Sequence, residues 1–271
     1  MIIKERSVRK NVKKTSDILI IMPAFNEAEN IGAFLDKIKE AGVPEKADIL
    51  VINDGSLDQT SSIVKKKGMG IVTHIYNLGY GCALQTGYKY AVRNDYDYVV
   101  QIDSDGQHDV VNIMNIINEL KFSDDKPDIV IGSRFMENSG VYKMSSVRKI
   151  AIKLFRFMIR RSTKRSVQDP TSGLQGLNRK AFIFYSYYNN FVHDYPDANM
   201  IIQMLMNDYK IKEVPAIMHP RLTGQSMHSG LMKPFLYMLK MFMITSIVII
   251  REKYFSKKSS GSLKVSKEGS L

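Results

Sequence analysis

The chain is poor in cysteine: Cys82 is the only one in 271 residues. A lone cysteine closes no internal disulfide, which excludes a disulfide scaffold and points to a reducing compartment. A secretory leader is not expected either, because no apolar run follows the basic residues of Met1-Ile2-Ile3-Lys4-Glu5-Arg6. A clean membrane-spanning run is also missing. Residues 231–250 read LMKPFLYMLKMFMITSIVII, but Lys233, Pro234 and Lys240 interrupt them and leave only Met241 to Ile250. A spanning helix needs ~20 mainly apolar residues. This segment is therefore expected to lie on a membrane or to pack as a core helix, with a true span or packing on a second copy of the chain as further alternatives. No zinc-ligand set, aromatic RNA-binding signature or helix-turn-helix pattern is present, and no nucleic-acid partner is expected.

What is present is an ordinary globular balance, 44% hydrophobic and 24% charged, with a formal net charge of +12. Such a charge calls for an anionic partner. Its distribution is uneven. Residues 1–17 hold six Lys and Arg against two acids, 251–271 again six against two, and 143–165 nine against none. The two outer stretches read as tails. The middle one repeats Val147, Ala151, Leu154 and Met158 at helical spacing, with Lys149, Lys153, Arg156 and Arg160 on another face. That is a basic amphipathic helix, suited to anionic lipid or to a phosphate, or simply a solvated surface helix.

The first half alternates two kinds of segment. Ile18–Met22, Asp48–Ile52, Ile71–Ile75, Tyr98–Ile102 and Asp128–Ile131 are short and rich in Ile and Val, as buried parallel strands are. Asn30–Glu40, Asp58–Lys67, Tyr80–Arg93 and Asp109–Leu120 between them read as helices. This alternation predicts an α/β fold with a doubly wound, mostly parallel sheet and helices on both faces. Ligands of such sheets bind at the carboxyl ends of the strands. Those ends are Pro23-Ala24-Phe25-Asn26-Glu27, Asn53-Asp54-Gly55-Ser56, Asn77-Leu78-Gly79-Tyr80-Gly81, Asp103-Ser104-Asp105-Gly106-Gln107-His108 and Gly132-Ser133-Arg134. Five polar or glycine-bearing ends at one edge describe one site.

Asp103 and Asp105 stand two apart at a strand exit, and two close carboxylates repel unless a cation lies between them. Mg2+ or Mn2+ binds through one or two carboxylates plus substrate phosphates. Gln107 adds an oxygen. The plainer reading is an acidic turn with Asp109 as the N-cap of the next helix. Asp54 suits a ribose hydroxyl or a base N–H, and Glu27 could meet the same nucleotide or only favour a helix N-terminus. Asp58 reads as a helix N-cap, and Asp169 as part of a turn with Pro170 and Gly173.

Taken together, PAFNEAENI at 23–31, VINDGSLDQT at 51–60, NLGYGCALQTGYKYA at 77–91, DSDGQH at 103–108, GSRF at 132–135, DPTSGLQGLNRKAF at 169–182 and EVPAIMHPRLTGQSMHSG at 213–230 resemble a family 2 glycosyltransferase with the GT-A fold. The branch they resemble is that of the dolichyl- and polyprenyl-phosphate mannosyl- and glucosyltransferases. The resemblance covers about residues 18–230. It implies a UDP- or GDP-linked sugar donor, with Pro23, Ala24, Glu27, Asp54, Asp103 and Ser104 at the nucleotide and Asp103, Asp105 and Gln107 at the metal. It implies Arg134, Arg148, Arg221 and Ser226 at an acceptor phosphate, with Asp105, Asp197 and Arg221 in catalysis. A lipid monophosphate needs no base, its second pKa being about 6. A sugar hydroxyl of a cell-surface or cell-wall glycan does need one, and Asp197 occupies the position of an acidic base at a helix start. The expected organisation is a basic tail at 1–16 and a GT-A domain at 17–230, with a nucleotide-sugar half at 17–135 and an acceptor half at 136–230. An apolar membrane-associating helix at 231–255 and a basic tail at 256–271 complete it, on the cytoplasmic face of a membrane.

Overall fold

A computed structural model describes residues 14–140, 144, 146–194, 196–220 and 239–254. The expected strands appear as β1 (Ile18–Ala24), β2 (Asp48–Asn53), β3 (Gly70–Thr73), β4 (Tyr98–Gln101) and β5 (Ile129–Ser133), but β3 is a half-exposed edge strand that ends before the expected Ile75, which is exposed. The helices between them are α1 (Ala28–Glu40), α2 (Thr60–Lys66), α3 (Tyr80–Arg93) and α4 (Val111–Phe122). The basic helix is α5 (Ser146–Thr163), and it is followed by β6 (Gln175–Asn178), α6 (Arg179–Ser186), α7 (Ala198–Met206) and β7 (Ile211–Pro215). An eighth helix, α8, covers 239–254.

The seven strands form one sheet in the order β3-β2-β1-β4-β6-β5-β7. All pairings are parallel except those of β6, which runs antiparallel between β4 and β5. The carboxyl ends of β1 to β5 therefore meet at one edge. Alternation along the strands explains why β1 and β2 are buried throughout. Leu19, Ile21, Leu50, Ile52, Val99 and Ile131 face a core shared with α3, α5, α6 and α7. Ile20, Met22, Ile49, Val51, Val100 and Val130 face a second core under α1 and α4. With both faces covered, the strands carry no polar side and read as continuous apolar runs.

Because β6 inserts between β4 and β5, the segments 17–135 and 136–230 share one sheet. Gly176 makes this possible: a β-carbon there would come within 2.4 Å of Ile116 on α4. The tail stretch is held down from residue 14 onward, with Thr15 and Ser16 N–H donating to Asp48 Oδ2 at 2.9 and 3.3 Å.

Two N-cap expectations shift by one residue. Gln59 and Val110 occupy the N-cap positions of α2 and α4. Asp58 and Asp109 lie just before them, and each carboxylate also serves a second segment. Asp58 accepts from Thr60 N–H and from Ala28 N–H at the start of α1. Asp109 accepts from Val111 N–H and meets His219 Nε2 at 2.8 Å.

Candidate active site

The carboxyl edge is laced together by the residues the sequence singles out. Ser104 is buried and its hydroxyl donates to the Pro23 carbonyl at 2.8 Å, tying the exit of β4 to that of β1. Ala24 accepts from Asp54 N–H. Asp54 is buried, and its carboxylate accepts Leu78 and Gly79 N–H at 2.9 and 2.8 Å, with His74 Nδ1 2.7 Å away. It thus builds the turn that starts α3. Glu27 sits at the N-cap of α1 and accepts from Asn30 Nδ2 at 2.8 Å.

Asp103 and Asp105 are half-buried at the exit of β4. Tyr80, the first residue of α3, donates its hydroxyl to Asp103 Oδ1 at 2.9 Å. Burial and then the Asp103 charge push the Tyr80 phenol well above its usual range, and the Asp197 charge adds to this. Asp197 itself is the N-cap of α7, with no side-chain cap bond. Asp105 Oδ1 accepts Gln107 N–H at 3.1 Å. The Gln107 amide lies 3.4 Å from the His219 carbonyl. Next to it, His108 is buried, and that burial pushes its pKa down to about 4, so the imidazole is neutral.

Arg134 follows β5 and is nearly buried, at 8% side-chain exposure, against a fully buried Asp169. Its Nε and Nη2 donate to the two Asp169 oxygens, both at 2.6 Å, and Nη2 also donates to the Thr171 carbonyl at 3.1 Å. Asp169 is therefore more than a turn residue: it is the buried counter-charge of Arg134. Arg148 lies on the exposed first turn of α5. Arg221 and Ser226 lie outside the described residues.

The sequence model described as Glycosyl transferase family 2 matches residues 19–185. The chain belongs to glycosyltransferase family 2. An uncharacterised protein of Methanocaldococcus jannaschii is 32% identical over 66% of this chain and 72% of its own length. The polyprenol monophosphomannose synthase of Mycolicibacterium smegmatis is 24% identical over 81% of this chain and 83% of its own. A UDP-N-acetylglucosamine–dolichyl-phosphate N-acetylglucosaminyltransferase of Methanococcus voltae is 25% identical over 60% and 70%. Among solved structures, glucosyl-3-phosphoglycerate synthase of Mycobacterium tuberculosis superposes with a TM-score of 0.62 at 18% identity, covering 86% of this chain and 80% of that one. That likeness establishes the GT-A fold.

This glycosyltransferase has no group of three or more His, Cys, Asp or Glu converging on one point among the described residues. A cage built wholly from protein is thus absent from that part of the chain. Two carboxylates and an amide oxygen on one turn fit the other arrangement, in which a hard cation keeps positions open for substrate phosphates. A β-carbon on Gly173 would fall 2.6 Å from Asp103 Oδ2, so the 172–174 loop closes directly over that carboxylate. The sequence analysis names Tyr80 only within a strand end and a helix start, and gives Arg134 a role only at an acceptor phosphate; it does not foresee the bond of Tyr80 to Asp103 or the pairing of Arg134 with Asp169. Both lie inside the quoted segments, but no spacing rule marks contacts made across 23 and 35 residues.

Proposed function

We propose that this glycosyltransferase moves one sugar, with inversion, from a UDP- or GDP-linked donor to a polyprenyl monophosphate at an anionic, cytoplasmic membrane face. The observation that carries this reading is a juxtaposition at one sheet edge. An acidic turn, Asp103-Ser104-Asp105, leaves β4, and the acid-free basic helix α5 follows β5 of the same edge. The turn suits a metal and a diphosphate, and the helix suits a lipid-borne phosphate.

Pro23, Ala24, Glu27, Asp54 and Ser104 would wall the nucleotide pocket. Asp103, Asp105 and Gln107 would hold Mg2+ or Mn2+, which when bound offsets the charge of the leaving diphosphate as a Lewis acid. An acceptor phosphate oxygen then attacks the anomeric carbon, and the bond to the diphosphate breaks with its electron pair leaving on the nucleotide. No proton need be removed, because the acceptor is already ionised. Arg148, Arg221 and Ser226 are the proposed grips on that phosphate, while Arg134, paired with Asp169, fixes the wall behind them. The named activities of the mycolicibacterial and methanococcal relatives, on polyprenol and dolichyl phosphate, support this acceptor class.

Exposed residues on two helices support membrane contact. On α5, Ile150 and Phe157 are exposed beside Lys149, Lys153 and Arg160. On α8, Met243, Ile247, Ile250 and Tyr254 form an exposed apolar stripe while Met241 and Val248 face inward. Apolar and basic residues sharing one face suit a helix lying in a lipid interface. No helix among the described residues is long and apolar enough to cross a membrane.

One observation favours a second reading. The Asp197 charge contributes to raising the Tyr80 phenol, whose hydroxyl donates to Asp103, and this supports a carboxylate able to act as a general base in the same site. With a glycan hydroxyl as acceptor, Asp197 would take its proton. The deciding experiment incubates the protein with radiolabelled nucleotide sugar, Mn2+, polyprenyl phosphate and a cell-surface glycan. Label moving into an organic-extractable lipid supports the first reading; label found only in water-soluble glycan refutes it.

A further inference from the structure

Asp103 is held from two sides. Its Oδ1 receives the Tyr80 hydroxyl at 2.9 Å, and its Oδ2 lies against the Gly173 backbone, where a β-carbon would come within 2.6 Å. Tyr80 is in turn fixed by everything around the start of α3. Gly79 before it has φ +96°, in the region that favours glycine, and its N–H is bound by the buried Asp54 carboxylate. Gly81 after it lets the His193 carbonyl approach to where a β-carbon would be only 2.2 Å away. The Tyr80 ring packs against the core beneath α3. A larger residue would be strained at Gly79 and would collide with the His193 backbone at Gly81.

We propose that Tyr80 is a positioning residue that orients Asp103 for a divalent cation, deepening the metal reading above and resting on it. A phenol donates one hydrogen bond in a fixed direction from a rigid ring. Bound to Oδ1, it restricts the carboxylate to one rotamer before any cation arrives. Partners of ligating carboxylates behind the ligand shell commonly change metal affinity 10–100-fold when removed. Tyr80 also carries information across the site. Asp54, assigned to the nucleotide, holds the turn that begins α3, and α3 presents Tyr80 to Asp103. Nucleotide side and cation side are thereby joined through one helix start.

The variant is Tyr80→Phe, which keeps the ring and deletes only the hydroxyl. Binding of Mn2+ in the presence of UDP, and separately GDP, is followed by loss of the free-ion electron paramagnetic resonance signal, with Asp103→Asn as the control. The expected result is an apparent Kd for Mn2+ raised about 10–100-fold in Tyr80→Phe. The melting temperature should change little, and transfer should approach the unsubstituted rate once Mn2+ saturates. A Tyr80→Phe protein that binds Mn2+ as tightly as the unsubstituted one overturns the role of Tyr80 and leaves the metal reading standing. An unsubstituted protein that binds no Mn2+ with either nucleotide overturns both.

Discussion

Replacing Gly173 by alanine should disable the enzyme without unfolding it. The added β-carbon would stand 2.6 Å from Asp103 Oδ2 and 3.1 Å from Oδ1, whereas ordinary van der Waals contact begins near 3.4 Å, so one side must give by about 0.8 Å. The loop is the stiffer side. The Gly173 carbonyl accepts from Gln101 Nε2 at 3.0 Å, and the hydroxyl of buried Ser172 donates to the Gly132 carbonyl at 2.6 Å. Asp103 is therefore the group that shifts, away from the position Tyr80 sets for it. A displacement near 1 Å in a reacting geometry costs about 10²-fold, or roughly 2.7 kcal/mol of barrier. Stability should hardly move. The φ of Gly173 lies outside the left-handed region, and an alanine in a compatible conformation stabilises by about 0.4–1 kcal/mol through the unfolded chain. The assay pairs initial transfer rates over a range of donor and Mn2+ with a thermal melt. Unchanged kcat/KM at unchanged melting temperature would show that Asp103 does not act where the geometry puts it. A melting temperature lowered by ten degrees or so, equivalent to a few kcal/mol, would show that the loop had yielded instead.

Three further outcomes follow from the same structure. Asp169→Ala leaves the nearly buried Arg134 guanidinium without its counter-charge and should cost about 3–5 kcal/mol in urea unfolding, whereas the double variant Arg134→Met/Asp169→Leu should recover most of it. Asp197→Asn should reduce turnover only modestly if the acceptor is a phosphate, and nearly abolish it if a hydroxyl must be deprotonated; steady-state rates with defined acceptors distinguish the two. Lys149→Ala/Lys153→Ala removes two exposed charges from α5 and should weaken sedimentation with anionic vesicles about thirty-fold, at about 1 kcal/mol per charge, with less difference in high salt. Equal binding by that variant would place the contact elsewhere.

What the sequence discloses here depends on how local the cause is. The strands β1, β2, β4 and β5 are written in runs of Ile and Val because both faces of the sheet are covered there, whereas β3, at the sheet edge, is only half-buried. The strands the sequence analysis did not find, β6 and β7, lack that signature for separate reasons. β6 reads Gln175-Gly176-Leu177-Asn178, four residues whose glycine exists to admit Ile116 and whose glutamine faces polar partners. β7 reads Ile211-Lys212-Glu213-Val214-Pro215 and lies on the sheet edge, half-exposed, where Lys212 pairs with Glu119 and Asp125. Neither carries an apolar run, so only tertiary pairing makes them strands.

The site divides along the same line. Asp103 and Asp105 are legible because two carboxylates two apart at a strand exit are costly without a cation. The groups that aim them are not, since Tyr80, Gly173 and the Arg134–Asp169 pair act through contacts between segments far apart in the chain. Asp169 shows the consequence. Beside Pro170 and Gly173 its local context is that of a turn, and only the fold brings Arg134 onto both of its oxygens. The Asp169 N–H, in turn, is held by Glu213 Oε1 at 2.8 Å, at the far edge of the sheet. That chain of contacts, from β7 through the 169–173 loop to Asp103, links the acidic turn to the edge strand. A change at half-exposed Glu213, which touches no expected substrate, should therefore alter the loop that closes over Asp103.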